Sequence, residues 1–267
     1  SRRGIPFRNF LFAGIFTNYF SKLIAALSLL VDDVRRGVIW IKRNVQRRYK
    51  HNGQLVNNSK ISRSEFLATT ALLAASVPVS AVSFGIFSGA HDYRVRRKTI
   101  YLPNLPKAFD GIRIGQLSDI HAGSFFNKTA VKGGVEMMMK EKPDVIFFTG
   151  DLVNEATAEV ADYVHVFDKV KAPLGVFSST GNHDYGNYRK WSSTQAKEKN
   201  FNDLLKAHEQ MGYKLLMNEH TYLTLSGERI AILGIENWGT GRFPKYGRLD
   251  KAYTGVDAPV KILLSHD

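Results

Sequence analysis

Three short polar clusters in the middle of the chain hold the residue types that bind metal ions: Asp119-x-His121, Gly150-Asp151 and Gly181-Asn182-His183-Asp184. Carboxylate, imidazole and amide oxygen are hard-to-borderline ligands, suited to Mn, Fe, Zn or Mg. On extended backbone an Asp-x-His places both side chains on one face, because the side-chain period there is two. Glycine before Asp151 and before Asn182 lets the chain turn sharply and lets other backbone come close. A single Asp-x-His is commonplace, and a lone Gly-Asp is usually a turn. Three such clusters, in order and about thirty residues apart, point to a metal site.

Something must bring these clusters together. Each follows a short apolar run rich in β-branched and aromatic residues: Ile112–Ser118, Val145–Thr149 and Leu174–Thr180. Such runs read as buried strands. Helix-length segments, roughly Lys128–Glu141 and Ala156–Lys169, lie between them. Strand–helix–strand alternation predicts a parallel sheet, whose ligands collect outside the carboxyl ends of the strands.

At these residues the pattern resembles the calcineurin-like metallophosphoesterase family, whose signature runs D-x-H, G-D, G-N-H-[DE], a later single His, then G-H-x-H. His266, after the strand-like run from Lys261, matches the later His. The resemblance covers about residues 111–267 and stops before any G-H-x-H. It implies an α/β fold, a four-layer α/β/β/α sandwich, and two divalent metal ions (Mn, Fe or Zn, with Mg as an alternative). By resemblance, Asp119 and His121 bind the first metal, Asp151 bridges both, and Asn182 and His266 bind the second. His183 protonates the leaving group and Asp184 orients its imidazole. An imidazole suits that role because its ordinary pKa lies near the working pH. The G-H-x-H would supply one further His to each metal, so this fragment is expected to bind metal poorly and turn over little.

Charge separates the chain into two parts. The formal net charge is +13; residues 1–100 hold 17 Lys/Arg against 4 Asp/Glu, and residues 101–267 hold 20 of each. The metal-binding part is neutral, which argues against a nucleic-acid groove there. Cysteine is absent, so there is no disulfide framework and no thiolate metal site.

The excess charge belongs to an expected membrane-anchoring region, residues 1–90. There is no initiator Met, so the sequence is expected to start within a longer protein. Two spans are expected, residues 10–31 and 66–87, since about 20 apolar residues cross a bilayer core. The first is interrupted by Asn18, Ser21 and Lys22; the second is free of charge. Residues 32–65 between them carry nine Lys/Arg and three acids, and read as a basic cytoplasmic loop. Val38–Ile41 within it could lie along a membrane surface. The second span would then deliver the rest of the chain to the exoplasmic side, although Arg94, Arg96, Arg97 and Lys98 pull the other way. Ser62–Leu67 is similar to the twin-arginine export consensus, with Ser64 in place of the second Arg. It also reads as a helix start, with Ser62 as N-cap and Glu65 three residues on.

Residues 91–110 read as a linker and first strand (Tyr93–Arg96), and 111–267 as the catalytic domain. A helix is expected around Asn202–Met211, a hairpin turning at Ser226-Gly227, and a buried strand over Ile230–Ile235. Trp238–Tyr253 lacks periodicity and is expected to overhang the site. His51, His91, His165, His208 and His220 read as surface or core residues. Asn154 matches a polar position of the family's second motif and stays outside the ligand set. Asn187, Tyr188, Arg189 and Arg242 are candidate contacts for a phosphate or headgroup.

The resulting expectation is a membrane-anchored, two-metal phosphoesterase whose partners are the lipid bilayer and a phosphoester, with no nucleic acid. Phosphodiesters or pyrophosphate-linked lipids are favoured as substrates. The alternatives are a protein phosphatase and a non-catalytic membrane-tethered binding protein.

Overall fold

The structure is a computed structural model that describes residues 4–47, 63–87, 89–239 and 243–266. It comprises a helical unit over Phe7–Asp92 and a larger unit that takes in Tyr93–Asp267.

The helical unit holds α1 (Gly4–Arg47), α2 (Arg63–Phe87) and a 3-10 turn, Gly89–His91. Part of the expected basic loop is therefore helical, through Arg47; residues 48–62, Ser62 and His51 among them, lie outside the described residues. Within the first expected span, the apolar stretch of α1 runs over Leu11–Leu27, and Asp32 and Asp33 follow it. In α2, Thr69–Ile86 has a mean hydropathy of 1.6 and is 6% buried, and it is the one stretch among the described residues long and apolar enough to span. Two of its hydroxyls are satisfied within the helix: Thr70 Oγ1 donates to the Phe66 carbonyl at 2.8 Å and Ser76 Oγ to Leu73 at 2.7 Å. Internal satisfaction is what a lipid environment demands of polar groups.

The larger unit is built on two sheets. The first is fully parallel, in the order β1 (Ile114–Leu117), β2 (Val145–Thr149), β3 (Val176–Ser179), β4 (Lys214–Leu215). The second pairs β5 (Glu219–Leu225) antiparallel with β6 (Glu228–Gly234), and β6 parallel with β7 (Lys261–Leu264). Ser226 and Gly227 turn the β5–β6 hairpin with φ of 51° and 84°, the left-handed pair that matches strand twist.

Helices cover the first sheet: α3 (Lys128–Lys140), a short α4 (Val164–Phe167) and α5 (Thr194–Met211). Asn127 Oδ1 accepts the Ala130 N–H and Ser193 Oγ the Ala196 N–H, which caps α3 and α5. The helix expected over 156–169 is instead a 3-10 turn, Thr157–Glu159, followed by the single turn of α4. Side chains compete with a helix there. Glu159 takes the N–H groups of Asn154, Glu155 and Ala156, and Thr157 is tied to Asn200 of α5. Tyr93–Arg96, expected as a first strand, is assigned to no strand in the structure.

Alternate faces of the strands feed separate cores. Ile146, Phe148 and Val176 join Val131, Val135 and Leu204 under the helices. Phe147 and Phe177 point the other way and meet Leu216, Ile230, Ile232 and Leu264 between the sheets. The outer face of the second sheet, with Ala231 and Leu233, packs on Ala252 of α6 (Leu249–Tyr253).

Candidate metal centre

All three polar clusters, and His266, lie at the carboxyl ends of strands. The loops after β1 and β2 continue the ladder: Asp119 N–H donates to the Gly150 carbonyl at 3.1 Å and His121 N–H to Asp151 at 2.9 Å. This brings the Asp-x-His directly against the Gly-Asp. The loops after β2 and β3 close on the same point through Gly150 and Gly181. A Cβ on Gly150 would sit 2.5 Å from the Gly181 nitrogen, and one on Gly181 would collide with the Asp151 carboxylate. Glycine is required here by close approach, as its position in the motifs implies.

The price of that approach is local strain. Asp119, His121 and Asp151 adopt φ of 54°, 45° and 59°, left-handed backbone that non-glycine residues rarely take. Such strain, held by surrounding structure, concentrates at functional sites.

Asp151 is the centre of the arrangement. Its Oδ2 lies 3.4 Å from His121 Nε2 and 3.2 Å from His266 Nε2, and its Oδ1 accepts the His183 N–H at 2.9 Å. Asp119 Oδ1 is 3.9 Å from His121 Nε2 and 4.0 Å from His266 Nε2. Two groups of ligand atoms result, His121–Asp151–His183 and Asp119–Asp151–His266, each within a 4.8 Å span. Metal–ligand bonds of about 2.0–2.2 Å place neighbouring donors roughly 3 Å or a little more apart. These separations, and a donor set of carboxylates and imidazoles, fit divalent metal ions.

The histidines are oriented from behind. His266 Nδ1 lies 2.7 Å from the Thr149 carbonyl and His183 Nδ1 2.6 Å from the Asn154 carbonyl. Backbone acceptors at Nδ1 fix that nitrogen as the N–H and leave Nε2 facing the site. The Asp151 carboxylate, through its hydrogen bond, pushes His266 up to about 9. Burial works against ionisation of Asp151, but His266 and the His183 N–H outweigh it and hold its carboxyl below the usual range.

Asp184 does not have the role expected for it. Its carboxylate is fully buried and accepts the backbone N–H groups of Gly181, Asp151 and Leu152 at 2.9, 3.0 and 2.9 Å. It clamps the second and third loops together and leaves the His183 ring to the Asn154 carbonyl. Burial pushes its pKa up to about 7 and the Asp151 charge adds to the rise, while the three N–H donors oppose it.

Asn182 is adjacent, with its Nδ2 donating to the Tyr188 hydroxyl at 2.7 Å. Of the candidate headgroup contacts, only Tyr188 reaches this cluster. Asn187 accepts from Lys197 and Arg189 lies over the Trp191 ring, while Arg242 lies outside the described residues. Part of the aperiodic stretch does approach the site, with the Phe243 ring 6.0 Å from Tyr188. Sequence reading missed Glu159, whose carboxylate fixes the Asn154 loop, because the motif spacing carries no sign of it.

Comparison with known proteins adds independent findings. A family model described as the transmembrane domain of probable calcineurin-like phosphoesterases matches residues 1–90, and one described as calcineurin-like phosphoesterase matches residues 112–267. A zebrafish (Danio rerio) transmembrane protein with metallophosphoesterase domain is 27% identical over 226 residues, 80% of this chain and 49% of its own. An uncharacterized metallophosphoesterase of Bacillus subtilis, YkuE, is 28% identical over 214 residues, 78% and 70% of the two chains. The UDP-2,3-diacylglucosamine pyrophosphatase LpxG of Chlamydia trachomatis is 38% identical over 89 residues, 32% and 27%. The chain thus spans about half the length of the zebrafish relative.

Proposed function

This chain belongs to the calcineurin-like phosphoesterase family and carries a transmembrane domain of that family, and from this premise we propose that it hydrolyses phosphodiester or pyrophosphate bonds at a two-metal site near a membrane. The observation that carries the reading is Asp151, a buried carboxylate shared by two groups of donor atoms. A metal pair at such a site, when bound, supplies Lewis acidity and hydroxide near neutral pH for in-line displacement at phosphorus.

The chain's own residues divide the remaining work. Asp119 and His121 would hold one ion, His266 and Asn182 the other, and Asp151 would contribute to both. His183, with Nδ1 anchored on the Asn154 carbonyl, presents Nε2 to donate a proton to the leaving oxygen. Asp184 keeps Asp151 and the His183 loop in register from beneath.

The layers under the helices, between the sheets and against α6 support the four-layer α/β/β/α reading. The basic residues before α2 support a cytoplasmic position for that segment and an exoplasmic position for the catalytic unit. A lipid-linked pyrophosphate as substrate is supported by the anchor and by the name of the Chlamydia relative.

The test is a metal-dependent assay of the full-length protein with a phosphodiester, a lipid-linked pyrophosphate and a phosphopeptide. Turnover of either of the first two with Mn²⁺ is expected, and Asp151→Asn should reduce it on the order of 10³-fold, as for removal of a central electrostatic group. Activity on the phosphopeptide alone would reassign the substrate class. Metal-independent turnover would sink the two-metal reading.

A further inference from the structure

We propose that Tyr188 is a positioning residue that aligns both Asn182 and His183, a proposal that rests on the phosphoesterase reading above. Its hydroxyl accepts the Asn182 Nδ2–H at 2.7 Å. Its ring lies nearly parallel to the His183 imidazole, with centroids 4.2 Å apart and an angle of 26°. One side chain therefore touches the amide assigned to the second metal and the imidazole assigned to the leaving group.

Each contact has a distinct physical consequence. An Asn side chain can present either its oxygen or its NH₂, and only the oxygen can bind a cation. A phenol oxygen that takes the Nδ2–H turns the amide so that Oδ1 is the free end. For His183, the Asn154 carbonyl at Nδ1 fixes one point of the ring but leaves rotation about that hydrogen bond. Tyr188 covers one face, and His121 meets the ring edge-on at 4.8 Å and 87°. Together these contacts restrict the direction of Nε2. A small misdirection of a proton donor is costly, since catalysis depends on a near-attack geometry.

The loop that carries Tyr188 is built to hold it. It begins at Gly186 in left-handed backbone, φ 64°, where a Cβ would press on the Trp191 indole at 2.9 Å. Trp191 Nε1 donates to the Gly186 carbonyl at 2.7 Å, and Arg189 lies 5.1 Å over the same indole. Tyr188 itself is 51% exposed, so core burial does little to fix its place. A half-exposed aromatic held by its loop against two site residues has a positional role.

The two contacts separate experimentally. In the full-length protein, Tyr188→Phe keeps the ring and removes the hydroxyl. It should weaken Mn²⁺ binding at one of two sites by roughly 10-fold in a calorimetric titration, in the range for lost outer partners of metal ligands. Tyr188→Leu should do the same and also lower kcat by roughly 10-fold at saturating Mn²⁺, with KM little changed. The exposure of Tyr188 makes both variants foldable, and unchanged thermal melting checks that. Wild-type-like Mn²⁺ affinity in Tyr188→Phe together with wild-type kcat in Tyr188→Leu overturns the inference while the phosphoesterase reading stands. No Mn²⁺ binding or turnover by the wild-type protein overturns that reading, and this inference with it.

Discussion

The two groups of candidate donor atoms are assembled from different distances along the chain, and they cut across the proposed ion assignment, which pairs Asp119 with His121. The group His121–Asp151–His183 comes from successive loops of one parallel sheet, and its orienting contacts stay inside that sheet's own connections. The group Asp119–Asp151–His266 needs the second sheet, because His266 follows β7 and reaches across to the Thr149 carbonyl at the end of β2. The first half is fixed by local turns and strained backbone, the second by the packing of one sheet on another. Coupled as they are through Asp151, they should nevertheless respond differently to damage.

The largest separation is expected from the core between the sheets. Leu264 ends β7, is 2% exposed in that core, and lies two residues before His266. Leu264→Ala should cost about 2–5 kcal/mol of stability, the range for truncating a buried leucine. At a temperature where the variant stays folded, one of two Mn²⁺ binding steps should weaken and the other hold. Equal weakening of both steps in a titration would show that the halves are not mechanically separable.

A smaller effect, of opposite address, is expected from acid. His208 of α5 is fully buried against the first sheet, with Nδ1 3.1 Å from Ser178 Oγ of β3, and its Nε2 has no hydrogen-bond partner among the described residues. Burial lowers its pKa from 6.5 to about 4. Between those values the unfolded chain binds the proton and the folded chain does not, so stability must fall as pH drops. The loss at pH 4 approaches about 3 kcal/mol relative to neutral pH, since each tenfold change in proton affinity is worth about 1.4 kcal/mol. Denaturant unfolding of the wild type and of His208→Gln, at pH 7 and pH 4.5, isolates the contribution. A variant that loses stability with acid as steeply as the wild type would remove His208 as the cause.

The same contrast explains what could be read from the sequence. The residues of the first group could be singled out because they sit in contiguous motifs, each behind an apolar run that became β1, β2 or β3. His266 was singled out by family resemblance, but the packing that brings it beside Asp151 could not be read from the sequence. The parallel pairing of β6 with β7 joins segments that no local pattern connects. The helix expected over 156–169 failed because Glu159 and Asn200 draw away the backbone donors, a tertiary effect that overrides a helical pattern. The expectation for Asp184 failed for a related reason. Its place beside His183 in sequence is compatible with touching the imidazole, yet the 3-10 turn at Asn182–Tyr185 directs it inward to three backbone N–H groups.

The finest test is of the local half alone. Glu159 is half-buried and receives Asn154 N–H at 2.6 Å, Glu155 N–H at 3.2 Å and Ala156 N–H at 3.2 Å, which fixes the loop whose carbonyl holds His183. Burial raises its pKa, and the same three donors oppose that rise. Gly123 makes room for this carboxylate, since a Cβ there would collide with it. Glu159→Gln replaces one acceptor oxygen with an NH₂ that faces donors, so the 154–156 turn should loosen while the strands remain. The expected result is a fall in kcat of about 10-fold, the low end for an outer partner of a site residue. Mn²⁺ affinity should stay near the wild-type value, because Asn154 touches His183 and none of the assigned ligands. Weakened metal binding with unchanged kcat would place His183 among the ligands and move the proton donor elsewhere.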